Sequence, residues 1–466
     1  MKKNSRSEFL KSEIRNPKSE IEKSVAFLWD ESTLWGVMAY KALRNMNLPF
    51  DLVRSEDIQS GTLKNYSMLF VPGGWASNKK KALGDKGAEA IREFVKTGGS
   101  YLGFCGGAGL ATLDGIGLLD LKRKPTKERV PSFSGRICLN VNEHPMWLTQ
   151  GQGARGKGQD KENSQFKIQN SKDLSLVTCH SSLIFHAWWP SQFLIDESGI
   201  KVLATYGKAL PDSFSSDLNT GDIEANGNWE ELEKVYGINL DPKRLRDEPA
   251  VVEGCYGRGK VILSLVHFDT PDDINGPQVL RNLWKYLLKS EVGSRKSEVL
   301  KSEIRNPKSE IVNSKLQTLT SELSELETAA AGLISFGERN FLWFRRNSML
   351  MQWRRGVRGL EYCTLYIMIR EITEILETQN TEHRTQNTGN KLRKVEELLI
   401  PFIVKAKRLL ILERQAMQKG HITYERCDDP EIRKIRTELF GDAKSHGGMF
   451  KELIDEIDNF LFLLLT

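Results

Sequence analysis

The chain has 466 residues, 39% of them hydrophobic, and a formal net charge of +6, so it is too long for one ordinary domain and predicts two or three. A net charge this mild for the length does not favour a nucleic-acid-binding protein. The six cysteines form no CxxC pair and suit neither a zinc site nor a disulfide framework, so we expect a reducing, cytoplasmic setting and no metal centre.

Several polar segments interrupt the chain, the first of them at its start. They are rich in Lys, Ser, Asn, Gln, Thr and Glu, and the peptide KSEIRNPKSEI occurs identically at residues 11–21 and 301–311. Such segments cannot bury enough apolar surface to offset the entropy lost on ordering, although a docking peptide displayed twice is the functional alternative. We predict disorder at residues 1–24, in an insert at about 154–173, in a linker at 290–315 and in an insert at about 377–391.

Residues 25–289 alternate short apolar strands with helical stretches. In chain order, we predict a strand at 25–30, a helix at 34–46, strands at 50–55 and 66–74, a helix at 84–98 and a strand at 99–105. This alternation indicates a parallel sheet with helices on both faces. The later half, with the runs GRICLNV, SLIFHAWW and KVLATYG, adds strands and a hairpin, and a helix closes the domain.

Residues 316–466 have a different pattern, because their apolar residues recur at intervals of three and four. This spacing predicts an all-α helical bundle. One segment, 338–359, interleaves arginines with Phe and Trp; we interpret it as a bundle helix with an apolar stripe and a basic face. A protein or other anionic partner, nucleic acid and a membrane surface are the alternatives. The longest apolar run, 460–465, is too short to span a bilayer, and the N-terminal residues lack the apolar core of a signal peptide.

A candidate nucleophile follows the predicted strand at 99–105. In the sequence GFCGG, glycines lie two positions before and two positions after Cys105, as in a nucleophile elbow. A sharp strand-to-helix turn needs such glycines because neighbouring main chain leaves no room for side chains. The helix that follows would favour the thiolate, and the N–H of Gly106 would face an oxyanion. A small cysteine packed in a glycine-rich turn is the structural alternative.

Two further motifs lie at strand ends, where an open parallel sheet binds its ligands. Gly73 and Gly74, in FVPGG, would contribute N–H groups to an oxyanion hole, and phosphate binding is the other use of such a loop. His267 ends the run GRGKVILSLVHFD, and Asp269 follows two positions later. Asp269 could therefore hold the imidazole in its useful tautomer, with His267 as the base for Cys105. A satisfied structural histidine is the alternative.

These motifs together carry a resemblance. YLGFCGGAGLAT, FVPGG, KVLATYGKALPD and PAVVEGCYGRGKVILSLVHFD resemble the class I glutamine amidotransferase-like superfamily, and most closely the N-terminal domain of biotin-protein ligases, over residues 25–289. The resemblance implies a flavodoxin-like fold with Cys105 as nucleophile and His267 as base. Where amidotransferases have His-Pro-Glu, this chain has His-Phe-Asp, with Asp269 in the place of the glutamate. Nothing in the sequence resembles a biotin ligase catalytic domain.

Two functions follow from this pattern. The first is a cysteine-dependent amide hydrolase or amidotransferase that acts on a small molecule and uses no cofactor. The second is a degenerate amidotransferase-like binding module, which the His-Phe-Asp variation favours, with the helical domain as the arm that contacts a protein partner. In the first case a Cys105→Ala variant is inactive, and in the second it keeps full activity.

Overall fold

The computed structural model describes residues 25–148, 178–179, 182–196, 199–288, 310–378, 385–420, 422–423, 427–442 and 446–466. The predicted disordered segments at 1–24 and about 154–173 lie outside these residues, as do residues 290–309 of the predicted linker and 379–384 of the second insert.

The strands and helices of the described residues are as follows. The strands are β1 (Val25–Leu28), β2 (Asp51–Val53), β3 (Met68–Val71), β4 (Ser100–Phe104), β5 (Lys122–Arg123), β6 (Phe133–Val141), β7 (Thr178–Cys179), β8 (Ser182–Trp188), β9 (Phe193–Leu194), β10 (Lys201–Ala209), β11 (Phe214–Ser215), β12 (Leu218–Asn219), β13 (Pro249–Tyr256), β14 (Gly259–Ser264), β15 (Trp343–Arg345) and β16 (Met351–Trp353). The α-helices are α1 (Thr33–Asn45), α2 (Ser55–Gln59), α3 (Ala76–Lys96), α4 (Gly106–Leu110), α5 (Thr220–Asn226), α6 (Trp229–Tyr236), α7 (Gly276–Leu288), α8 (Glu310–Arg339), α9 (Gly359–Thr378), α10 (Thr385–Lys419), α11 (Pro430–Phe440) and α12 (Gly448–Leu465). Short 3₁₀ helices lie at Thr62–Asn65, Pro145–Trp147 and Pro242–Leu245.

The main sheet has the order β12-β11-β6-β10-β13-β14-β4-β3-β1-β2, with β8 on β6 and β7 on β8. Its β2-β1-β3-β4-β14 part is parallel, and the remaining pairs are antiparallel. Counted along the chain, the parallel strands have the order 2-1-3-4-5 of flavodoxin-like folds. The predicted fold class, a flavodoxin-like α/β domain followed by helices, is therefore confirmed.

The central strands are buried along their whole length. Every residue of β1, β3 and β4 is buried, which is the pattern of a parallel sheet covered on both faces. The helix α3 differs from its prediction, since it begins at Ala76 rather than Gly84. Gly84 has φ 57° and ψ −176°, so the glycine that marked a helix start in the sequence is a kink inside a longer helix.

Three helices extend into segments predicted as polar loops. Helix α8 begins at Glu310, within the predicted linker 290–315. Helix α9 continues to Thr378 and α10 begins at Thr385, so the described residues of the predicted insert, 377–378 and 385–391, are helical. Polar composition does not end a helix that is already nucleated, because each added residue extends it at little cost. No helix among the described residues is long and apolar enough to cross a membrane.

The interpretation of residues 338–359 as a bundle helix is wrong. The segment forms the antiparallel hairpin β15–β16, and Asn347 makes its turn, because the side-chain oxygen accepts from the N–H groups of Met349 and Leu350 at 2.9 and 2.8 Å. The indole of Trp343 donates to the carbonyl of Ile334 at 2.9 Å. A local side-chain turn therefore overrides the helical spacing of the apolar residues.

The helical region packs against the α/β region. In the hairpin, the Gln352 side chain accepts from Ser134 Oγ at 3.0 Å and donates to the carbonyl of Ser216 at 2.6 Å. In α12, Asp458 lies 3.3 Å from Arg54, which also contacts Asp30 at the end of β1 at 2.8 Å. These contacts fix the hairpin and α12 at the sheet edge where the parallel strands end.

The helical region contains a buried ion pair. Arg436 donates to Glu413 Oε1 at 2.8 Å and to the carbonyls of Thr423 and Gly356 at 2.6 and 2.8 Å. Glu413 is 1% exposed as a side chain, and burial raises the pKa of its carboxyl to about 7 although Arg436 acts to lower it. Arg436 thus joins α10, α11 and the chain after the hairpin.

Replacing Arg436 by Met should lower the free energy of unfolding by about 3 kcal/mol, because Glu413 would stay buried without its cation. Urea denaturation followed by circular dichroism measures this change. Arg433→Met, at an exposed position of the same helix, is the matched control. Equal effects of the two substitutions would contradict a structural role for the ion pair.

Candidate active site

Cys105 lies at the turn between β4 and α4. Its backbone has φ 49° and ψ −104°, a conformation that residues with side chains adopt at a cost and that clusters at functional sites. The N–H of Cys105 donates to the carbonyl of Ser264, in the neighbouring strand β14, at 2.8 Å. The sheet itself therefore holds the strained turn, and the residue is partly exposed.

The glycines around Cys105 are required by close main-chain contacts. A Cβ atom on Gly103 would lie 2.6 Å from the carbonyl oxygen of Gly107. On Gly106 it would lie 1.9 Å from the carbonyl oxygen of Gly74, and on Gly107 it would lie 1.9 Å from that of Val71. The loop after β3 therefore passes directly against the first residues of α4, as the sequence predicts for a nucleophile elbow.

The structure brings His267 and Asp269 together just after β14. The Nδ1 atom of His267 is 3.0 Å from Asp269 Oδ1, and the two side chains are 0% and 1% exposed. The N–H of His267 donates to the carbonyl of His186 at 2.9 Å, and the ring centroids of His267 and Trp35 are 4.7 Å apart. The imidazole is thus held by a carboxylate, a main-chain bond and an aromatic ring.

The Cys105 thiol and the His267 imidazole change each other's pKa. Burial acts to raise the pKa of the thiol, but His267, the N–H of Gly106 and the charge of Arg123 together lower it below its ordinary value. Burial acts to lower the pKa of His267, but Asp269 and Cys105 raise it to about 10. The Nε2 atom of His267 is buried and has no hydrogen-bond partner among the described residues; it is the ring nitrogen that Asp269 does not contact.

The predicted oxyanion residues lie beside this pair. Gly106 acts on the thiol through its N–H. A Cβ on Gly73 would lie 3.0 Å from the His267 ring, and Gly74 has φ +116° and contacts Gly106 through its carbonyl. The structure therefore places all three glycines, Cys105 and His267 around one point at the sheet edge.

Sequence reasoning missed three cations at this edge. Lys79 is fully buried and donates to the carbonyl of Asp30 at 3.0 Å and to Ser32 Oγ at 2.5 Å. Burial lowers the pKa of Lys79 to about 7, against the raising effect of nearby acids. The other two cations, Arg123 and Arg129, lie in the segment KRKPTKER. The charge of Arg123 acts to lower the pKa of Cys105, and Cys105 acts to raise the pKa of Arg129. Their signal in the sequence was only a basic run, which is typical of exposed loops.

The aromatic run HAWWPSQF, residues 186–193, packs beside the candidate site. Trp188 is buried and its indole donates to Thr270 Oγ1 at 3.0 Å. Trp189 has φ 49° and lies between Trp35, at a centroid distance of 5.9 Å, and Trp353 of the hairpin, at 5.0 Å. Packing is therefore the role of Trp188, and Trp189 connects the hairpin to the ring that covers His267.

Comparisons with solved structures give only distant likenesses. A Thermoplasma acidophilum protein, described as a putative GMP synthase component, is 12% identical, with 57% of this chain and 94% of that chain covered and a TM-score of 0.34. The glutaminase domain of the Trypanosoma brucei CTP synthase, with bound acivicin, is 10% identical, with 58% and 95% covered and a TM-score of 0.32. A β-galactosidase from Bacillus circulans sp. alkalophilus is 13% identical, with 57% and 31% covered and a TM-score of 0.30. At these scores the likenesses carry no argument about this chain.

A family comparison is more informative. No curated protein matches the chain. The family model described as "Biotin-protein ligase, N terminal" matches residues 52–114, a segment that includes Gly73, Gly74, Cys105 and Gly106 but ends before His267. Over residues 52–114, the predicted resemblance to the N-terminal domain of biotin-protein ligases is therefore confirmed.

Proposed function

We propose that this protein is a cysteine-dependent acyl-transfer enzyme that cleaves an amide at Cys105. The observation that carries the proposal is the strained Cys105 turn, with φ 49°, facing an imidazole that a buried carboxylate holds at 3.0 Å. A structural cysteine needs neither the strained backbone nor a histidine–aspartate pair whose Nε2 atom is left for the sulfur.

The chemistry assigned to these residues proceeds in two steps. The Cys105 thiolate attacks the amide carbon, a C–S bond forms, and the C=O electron pair moves to oxygen, where the N–H of Gly106 and the Gly73–Gly74 loop stabilise it. The C–N bond then breaks as His267 gives its proton to the departing nitrogen. In the second step, His267 takes a proton from water, the water oxygen bonds to the thioester carbon, and the C–S bond breaks to restore the thiolate.

The variation from His-Pro-Glu to His-Phe-Asp is compatible with this chemistry. Asp269 is one methylene shorter than glutamate, yet it reaches Nδ1 of His267 at 3.0 Å. Phe268 takes the proline's position and is buried against Phe104 and Phe185, at centroid distances of 5.5 and 4.9 Å. The contact between the Asp269 carboxylate and the His267 imidazole is therefore kept in the His-Phe-Asp sequence. This contact supports the enzyme over the degenerate binding module.

Iodoacetamide should alkylate Cys105 faster than Cys255 near neutral pH, because the thiolate is the reactive form and His267 favours it. The alkylation rate at Cys105 should reach its plateau at a lower pH than the rate of an ordinary thiol does, because the pKa of Cys105 is lowered. Peptide mass spectrometry across a pH series measures both sites, and the exposed Cys255 is an internal reference. Equal rates at the two cysteines would contradict an activated nucleophile.

p-Nitrophenyl acetate tests the acyl transfer itself. We expect a burst of p-nitrophenolate matching the enzyme concentration, and an acetyl group on the peptide that contains Cys105. Cys105→Ser should lose the burst. A reactive Cys105 that forms no thioester would favour the binding module instead.

Asp269→Asn should slow alkylation of Cys105 near neutral pH by roughly tenfold, the effect of about one unit in the thiol pKa. The amide cannot raise the pKa of His267 as the carboxylate does, so the imidazolium that stabilises the thiolate is lost. Asp272→Asn is the control, because Asp272 is exposed and its positive φ of 65° suits asparagine. If the two variants react alike, the role assigned to Asp269 is incorrect.

A further inference from the structure

Arg123 lies against the helix that follows the nucleophile. It is in β5, which pairs with β9, and its Nη1 atom is 2.7 Å from the position that a Cβ on Gly109 would occupy. Gly109, in α4, therefore leaves the space that the guanidinium fills. Arg123 is close enough to Cys105 to lower the pKa of the thiol, and its Nε atom is buried with no hydrogen-bond partner among the described residues.

Arg129 lies six residues after Arg123 and interacts electrostatically with Cys105. Its guanidinium donates to the Ser191 hydroxyl and, at 3.4 Å, to Thr126 Oγ1. Its carbonyl accepts from Asn239 Nδ2 at 3.2 Å, which fixes the loop. The Nε atom of Arg129 is also buried without a hydrogen-bond partner in the part of the chain that the structure describes.

The two arginines have no carboxylate partner in the part of the chain that the structure describes. Neither forms an ion pair with a carboxylate among the described residues; the nearby Glu248 is bound by Lys124 at 2.6 Å. Burial and repulsion from Arg123 lower the pKa of Arg129, and the groups that act in the opposite sense are Cys105 and Tyr206. Two adjacent, partly buried cations without a carboxylate are unfavourable unless an anion joins them.

We propose that Arg123 and Arg129 bind an anionic group, a carboxylate or phosphate, on the substrate that Cys105 attacks. This rests on the proposed function, because it assigns the substrate class of the same site. The planar guanidinium with several donors suits either anion, and two of them favour a substrate that carries its charge a few bonds from the amide. The two arginines are specificity-determining residues and leave bond cleavage to Cys105 and His267.

Iodoacetate and iodoacetamide provide the test, because they alkylate the same thiol and differ in a carboxylate. The ratio of their rates at Cys105 corrects for any change in the thiol itself. Arg129→Gln should lower the iodoacetate-to-iodoacetamide ratio about tenfold, the usual effect of losing a hydrogen bond to a charged group, and Arg123→Gln should also lower it. Arg129→Lys should retain part of the ratio, since it keeps the charge.

Lys127→Gln is the matched control, because it removes one charge from an exposed position of the same loop and should leave the ratio unchanged. Inorganic phosphate and succinate, added separately, should each slow alkylation by iodoacetamide if bound, and the stronger protector identifies the anion. A ratio that Arg129→Gln leaves unchanged, with Cys105 still fast toward iodoacetamide, overturns the anion site alone. A Cys105 that reacts no faster than Cys255 overturns the proposed function instead.

Discussion

The site depends on one steric constraint, the contact between the loop after β3 and the first turn of α4. The carbonyl oxygens of Gly74 and Val71 occupy the places that side chains of Gly106 and Gly107 would need. Both positions are glycine, so the two segments can approach this closely and the chain can turn sharply after β4. Cys105 has a φ of 49° at the apex of this turn. The strain is offset by the neighbouring strands β3 and β4, which are completely buried.

The parallel pairing of β4 with β14 then determines where His267 lies. Phe104 is in register with Ser264, and the next residue, Cys105, donates its N–H to the Ser264 carbonyl. His267 follows three residues later and is tied to the carbonyl of His186. The relative position of sulfur and imidazole therefore comes from main-chain hydrogen bonds, and the side-chain contact with Asp269 adjusts only the ring. Asp269 reaches Nδ1 of the ring at 3.0 Å although it is one methylene shorter than glutamate.

Much of this edge could be predicted from the sequence, because its signals are local: glycines that flank Cys105, a strand that ends at His267, and alternating strands and helices. The hairpin at 343–353 could not, since its turn depends on side-chain bonds from Asn347, whereas its apolar spacing resembles that of a helix. Arg123 and Arg129 were missed for another reason. Arg123 is placed by the pairing of β5 with the distant β9 and Arg129 by its bond to Ser191, and a basic run carries no information about either contact.

The helical region takes part in the site more directly than an attached interaction arm would. Trp353 of the hairpin stacks on Trp189, Trp189 contacts Trp35, and Trp35 lies on the ring of His267. A continuous series of aromatic contacts thus connects Trp353 to His267. Because close-packed rings leave little free volume, displacement of the hairpin would remove support from Trp35 and hence from the imidazole. The position of His267 therefore depends on both regions, and the helical region supports the candidate site through Trp353.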